Sequence, residues 1–161
     1  MKKRWFWIFL LTAGVGTGLH FLYDLLPSPV TAIFSPVNES VWEHLKLLYW
    51  PMLLAGVLLS GNAPDKKKLW SGVLGAILAM PVWLTGVFYL LKGGFGVEET
   101  WIDLALYYLT LAAGFGFVKK IEGRNLPKWA FPALAACVAA YGVLLMYFTT
   151  FPPELPIFIA G

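Results

Sequence analysis

Long apolar stretches, each near the length that carries a helix across a bilayer, follow one another through this chain with little between them. Trp5 to Leu26, Ser40 to Ser60, Trp70 to Leu91, Trp101 to Val118 and Trp129 to Thr150 are the blocks, and a spanning helix takes about 20 residues. Of 161 residues, 59% are hydrophobic and 13% charged, against about 25% charged in an ordinary soluble domain. Backbone groups in lipid must be satisfied by helices or by a closed barrel. The blocks lack the two-residue alternation of a barrel strand. The prediction is therefore all-α: a polytopic membrane bundle of five transmembrane helices forming a single domain over residues 1–161.

Trp5, Trp70, Trp101 and Trp129 each open a span, where aromatic rings sit at the headgroup level. The first block begins like a signal peptide, but its apolar run is longer and no small-x-small cleavage site follows. It reads as a retained span.

Basic residues set the expected orientation. Every Lys and Arg except Lys46 and Lys92 lies before the first span, between the second and third, or between the fourth and fifth. In a serpentine these loops share one side, which the positive-inside rule places in the cytoplasm. The N-terminus is then inside and the C-terminus outside. Every acid except Asp65 and Glu122 falls on the opposite, outer side. The expected location is the cytoplasmic (inner) membrane. The basic residues suit contact with anionic lipid in short juxtamembrane loops, not nucleic acid, so the bilayer is the expected partner, with a homo-oligomer as a further possibility. Cys137 is the single cysteine, which excludes an intramolecular disulfide.

Packing signals are present as well. Gly14-xxx-Gly18 in the first span, with Gly16 between, and Gly72 and Gly75 in the third allow close helix approach. The fifth span is rich in alanine. Pro51 and Pro81 are expected to bend the second and third spans. The outer segment 27–39 is apolar and holds Pro27, Pro29 and Pro36, so it cannot be one helix. Lying on the membrane surface or dipping into the bundle are its two options. With the similar tail after Thr150, it forms either a lid or an interfacial anchor.

Ionisable side chains beside lipid are costly and mark function by default, which singles out residues 35–46. Ser40-x-x-Glu43 has the form of a capping box. Glu43 and Lys46, three apart, suit an ion pair. His20 and Asp24 share a face of the first span, with His20 roughly 9 Å below its outer end. Consecutive antiparallel spans bring their outer ends together, so His20, Asp24, Glu43 and His44 form a candidate metal set for Zn²⁺, Mn²⁺ or Fe²⁺. Neither an H-E-x-x-H motif nor a cysteine pair accompanies it. The competing interpretation is a hydrogen-bonded network that pins the helices. Asn38, Glu39, Ser40, Trp42 and Lys46 are candidate ligand or relay residues. Asp103 joins them from the fourth span, with interfacial solvation as its alternative.

The run Pro36-Val37-Asn38-Glu39-Ser40-Val41-Trp42-Glu43-His44-Leu45-Lys46, with His20 upstream, resembles a family of small prokaryotic membrane proteins of unknown function that share an N-E-S-x-W-E-H-x-K stretch. The resemblance implies that these residues act as a unit and implies no activity. Asn38-Glu39-Ser40 also matches a glycosylation sequon, too close to the membrane to be used.

Three functions follow. One is an outward-facing site between the first two spans that binds a cation, a proton or a small polar ligand. The second is a metal-dependent enzyme at the outer leaflet, with Glu39 or Glu43 as general base. Glu98-Glu99 resembles the paired glutamates of intramembrane prenyl-protein proteases, but their following arginine is missing. The third is a non-catalytic scaffold or partner subunit. No inverted repeat of the transporter kind is visible.

Overall fold

The computed structural model describes residues 2–97 and 99–159, so Glu98 lies outside the described residues. Regular structure among them is entirely helical. The helices are α1 (Lys2–Leu25), α2 (Thr31–Phe34), α3 (Val41–His44), α4 (Lys46–Ser60), α5 (Lys66–Tyr89), α6 (Thr100–Glu122) and α7 (Ala130–Thr150). A π-helical turn, Leu90–Gly94, extends α5, and a 3-10 turn, Pro156–Phe158, closes the tail.

Lys3–Leu25, Lys66–Gly94, Thr100–Glu122 and Ala130–Thr150 are long and apolar enough to cross a membrane. The second predicted span differs. It is divided at Leu45 into α3 and the 15-residue α4, because the Leu45 amide turns back to the carbonyl of Trp42 at 3.1 Å. Helical bonding resumes at once, with the amides of Leu48 and Tyr49 both directed to the Leu45 carbonyl.

α5 packs on α4, α6 and α7, while α1 lies against α4 and α6. Leu48, Met52 and Ala55 of α4 meet Leu69, Val73 and Ile77 of α5, Leu111 and Val118 of α6 and Leu145 of α7 in one buried cluster. Gly72 brings α5 against the α6 backbone: a Cβ there would lie 3.0 Å from the Val118 carbonyl oxygen. Gly14 and Gly18 have nothing within 4 Å of such an atom, so the spaced pair is not the seam used within this chain. Gly16 is. The alanine face of α7 is also open: Val138, Gly142 and Leu145 are buried, whereas Ala133, Ala136, Ala139 and Ala140 are exposed.

Pro51 lies inside α4, and a proline there leaves the carbonyl four residues earlier without its amide. That carbonyl belongs to Leu47. The Tyr107 hydroxyl of α6 donates to it at 3.4 Å, crossing α1 at Gly16, where a Cβ would sit 1.9 Å from the hydroxyl oxygen. One glycine thus lets a neighbour's side chain repair the helix a proline has opened. Thr17 and Tyr108, whose hydroxyls are 3.0 Å apart, add a second α1–α6 link.

The ends of the bundle differ in chemistry. At one, Arg4 donates to the Leu58 carbonyl and Lys68 Nζ to Asn125 Oδ1 at 2.8 Å, gathering the lysine-rich loops. At the other, segment 27–39 dips into the bundle, with Ser35 and Pro36 buried. Irregular backbone is tolerated at such a place when protein covers it.

Candidate metal centre

The dipping segment is held from three sides. A four-residue helix leaves its carbonyls without intrahelical partners, and α4 supplies donors from one face, four residues apart. Lys46 Nζ donates to Ala32 O at 2.8 Å and Ser35 O at 3.3 Å, and Trp50 Nε1 donates to Ile33 O at 2.8 Å. Toward α1, the Ser35 hydroxyl accepts from the Tyr23 amide at 3.0 Å and donates to the Leu19 carbonyl. Those are the two backbone groups that an α-helix pairs with each other, so the Ser35 hydroxyl is seated on the α1 backbone next to His20.

The third hold is Glu43. Its Oε2 lies 2.6 Å from Lys46 Nζ, with side-chain exposures of 3% for Glu43 and 0% for Lys46. The same oxygen accepts from the Val37 amide at 3.0 Å, and Oε1 accepts from Thr149 Oγ1 of α7 at 2.8 Å. Lys46 spends its three ammonium donors on Glu43, Ala32 and Ser35. Every charge in this pair is met, which is the condition for burying one.

Half of the predicted capping box forms. Ser40 caps α3, its Oγ accepting from the Glu43 amide at 3.4 Å. Glu43 does not return the bond. The Ser40 amide goes instead to Asn38 Oδ1 at 2.9 Å, which turns the chain so that Glu39 points along α3 toward His44.

There a second group assembles. His20, Glu39 and His44 each offer a ligand atom, and those atoms lie within 4.8 Å of one another. The imidazole rings are 5.1 Å apart between centroids, and His44 Nε2 is 3.4 Å from Glu39 Oε2. His44 Nδ1 lies 2.8 Å from the Ser40 carbonyl. A carbonyl only accepts, so Nδ1 carries a proton, and in the neutral imidazole Nε2 then presents its lone pair to the group, the usual outer-shell arrangement of a metal-binding histidine. His20 Nδ1 is buried without a hydrogen-bond partner among the described residues.

The donor set fits a metal. Two imidazole nitrogens and a carboxylate oxygen suit Zn²⁺ or Fe²⁺ with coordination positions left open. Ligand atoms around a tetrahedral ion at these bond lengths stand about 3.3 Å apart, so the group must contract. Glu39 Oε2 already stands at that spacing from His44 Nε2, at 3.4 Å, so the contraction is toward His20.

The other predicted residues lie elsewhere. Asp24, one turn beyond His20, is exposed and outside the three-residue group. Glu43 is occupied by the Lys46 network. Asp103 pairs with Lys92 at 3.0 Å, and Lys92 also lies 4.8 Å over the Phe88 ring. Trp42 faces the tail, its ring 4.8 Å from Phe158 and 5.4 Å from Phe148. Thr149 was not among the candidates from the sequence, and Ser35 entered only as the edge of the stretch 35–46, with no role of its own. A serine in a proline-rich loop and a threonine at a span end are ordinary, and only the third dimension gives them a role.

The full chain, residues 1–161, matches DUF6512, a family of unknown function. The protein belongs to this family. Among curated proteins and among solved structures, none matches it.

Proposed function

We propose that this DUF6512 protein binds a divalent transition-metal ion, Zn²⁺, Mn²⁺ or Fe²⁺, through His20, Glu39 and His44. The convergence of those ligand atoms, with the His44 tautomer set by the Ser40 carbonyl, carries the reading. Asn38 and Ser40 orient Glu39 and His44, and the Glu43–Lys46 pair holds the loop that presents them. Lys46 would repel a cation as a free ammonium, but its charge is balanced by Glu43. The N-E-S-x-W-E-H-x-K stretch is on this reading the family's shared device for building the site.

The site sits in the outer half of a five-span protein of a prokaryotic cytoplasmic membrane, N-terminus inside. α3 and α4 together act as the second span: Val41 to Ser60 rises roughly 30 Å at 1.5 Å per residue, enough for the hydrocarbon core. The gathering of the lysine-rich loops at one end of the bundle supports the orientation.

A metal-dependent enzyme at the outer leaflet is the second reading, favoured by one observation. Three protein ligands leave a position for water or substrate, as catalytic zinc sites do and closed structural sites do not.

Elemental analysis of the detergent-purified protein by mass spectrometry tests the proposal, with His20→Ala and His44→Ala run beside it. Near-stoichiometric metal in the parent and its loss in both variants is the expected result. A metal-free parent after incubation with all three ions would overturn the site.

A further inference from the structure

At the basic end of the bundle, α1 and α6 separate into a groove of about 240 Å³ lined by Trp5, Phe6, Phe9, Phe115, Gly116 and Lys119. Its floor is aromatic: Phe115 meets Trp5 edge-on at 6.3 Å and Phe9 at 5.4 Å. Gly116 leaves the groove open, with nothing within 4 Å of a Cβ built there.

The charges lie at one end only. Lys119 is exposed one turn after Phe115 and Gly116, and Lys3 is exposed one turn before Phe6 on the same face of α1. Lys119 therefore lines the headgroup end of an apolar trough, and Lys3 stands near that end of α1, outside the lining. We propose that this groove is a binding site for an anionic phospholipid, with one acyl chain along the aromatic floor and the phosphate between Lys119 and Lys3. A zwitterionic lipid fits the floor equally well but brings its own cation toward the lysines. Selectivity thus comes from charge, and occupancy from the groove's shape.

Native mass spectrometry of the full-length protein in detergent, titrated with phosphatidylglycerol or phosphatidylcholine, tests the site. The parent should retain one phosphatidylglycerol with about fivefold or greater preference, the effect of roughly one lysine near a membrane phosphate. Lys119→Glu should abolish the preference. Lys128→Glu makes the same charge change at an exposed position outside the groove and should preserve it. Gly116→Leu fills the open floor and should lower retention of both lipids. Equal retention of the two lipids by the parent, equal losses in the two charge reversals, unaltered binding in Gly116→Leu, or a protein dimer in place of the lipid adduct would each overturn the proposal.

Discussion

Gly16 of α1 and Tyr107 of α6 interlock: the tyrosine hydroxyl occupies the space where any other residue's Cβ would stand, 1.9 Å away, and from there it reaches the Leu47 carbonyl. Gly16→Ala must push the ring aside, cutting the bond that compensates for Pro51. The expected cost is about 1–3 kcal/mol, the usual range for overpacking. Tyr107→Phe removes the clashing oxygen, so adding it to Gly16→Ala should cost less than the two changes summed. Thermal unfolding of the four proteins in one detergent closes the cycle, and strict additivity would dissociate the two residues.

Breaking the Glu43–Lys46 pair from one side strands a buried charge. Lys46→Met should destabilise by about 3–5 kcal/mol. The double variant Glu43→Gln with Lys46→Met should recover a good part of that loss, since no charge then remains buried. Unfolding midpoints would show it, and a double variant no better than Lys46→Met would mean that the ammonium's bonds to Ala32 and Ser35 are what matters.

This network also shows how far the sequence alone was readable. The apolar blocks announced the helices because lipid leaves the backbone little choice, and the three-residue spacing of Glu43 and Lys46 announced their pairing. Glu39 was legible as a candidate but not its partner: it stands before the Ser40 cap, outside α3, so helical spacing says nothing of its side chain, which meets His44. Pro51 signalled an unpaired carbonyl at Leu47 but not which of the bundle's hydroxyls would answer it.

Metal should stabilise the fold that holds its ligands. Zn²⁺ at about 100 times its dissociation constant is expected to add about 2.7 kcal/mol, seen as a raised unfolding temperature that a chelator reverses. His20→Ala should remove the response. Imidazole binds metal only when unprotonated, so occupancy should fall as the pH is lowered. A zinc-induced shift that survives in His20→Ala would locate the ion elsewhere.

Ser35→Ala touches no proposed ligand. Without the hydroxyl, the loop loses its bonds to the Tyr23 amide and the Leu19 carbonyl, and its hold on α1 beside His20 loosens. Metal affinity should drop about 10-fold or more, the scale on which supporting residues act. Isothermal titration in detergent would detect this, and parent-like affinity would mean that His20 keeps its place without Ser35.

The hydroxyl seated on α1 has a bearing on biogenesis. Ser35 belongs to a loop that Lys46 and Trp50 of α4 tether, while Glu43 reaches Thr149 near the end of the last long helix. Only Thr149 is distant from the others in the order of synthesis. His20, Glu39 and His44 all belong to the first 44 residues, so α1, the loop and α3 can gather them while the chain is still being made. The bond from Thr149 closes on Glu43 only when the last helix docks, so the anchor of the loop is completed after the group it presents.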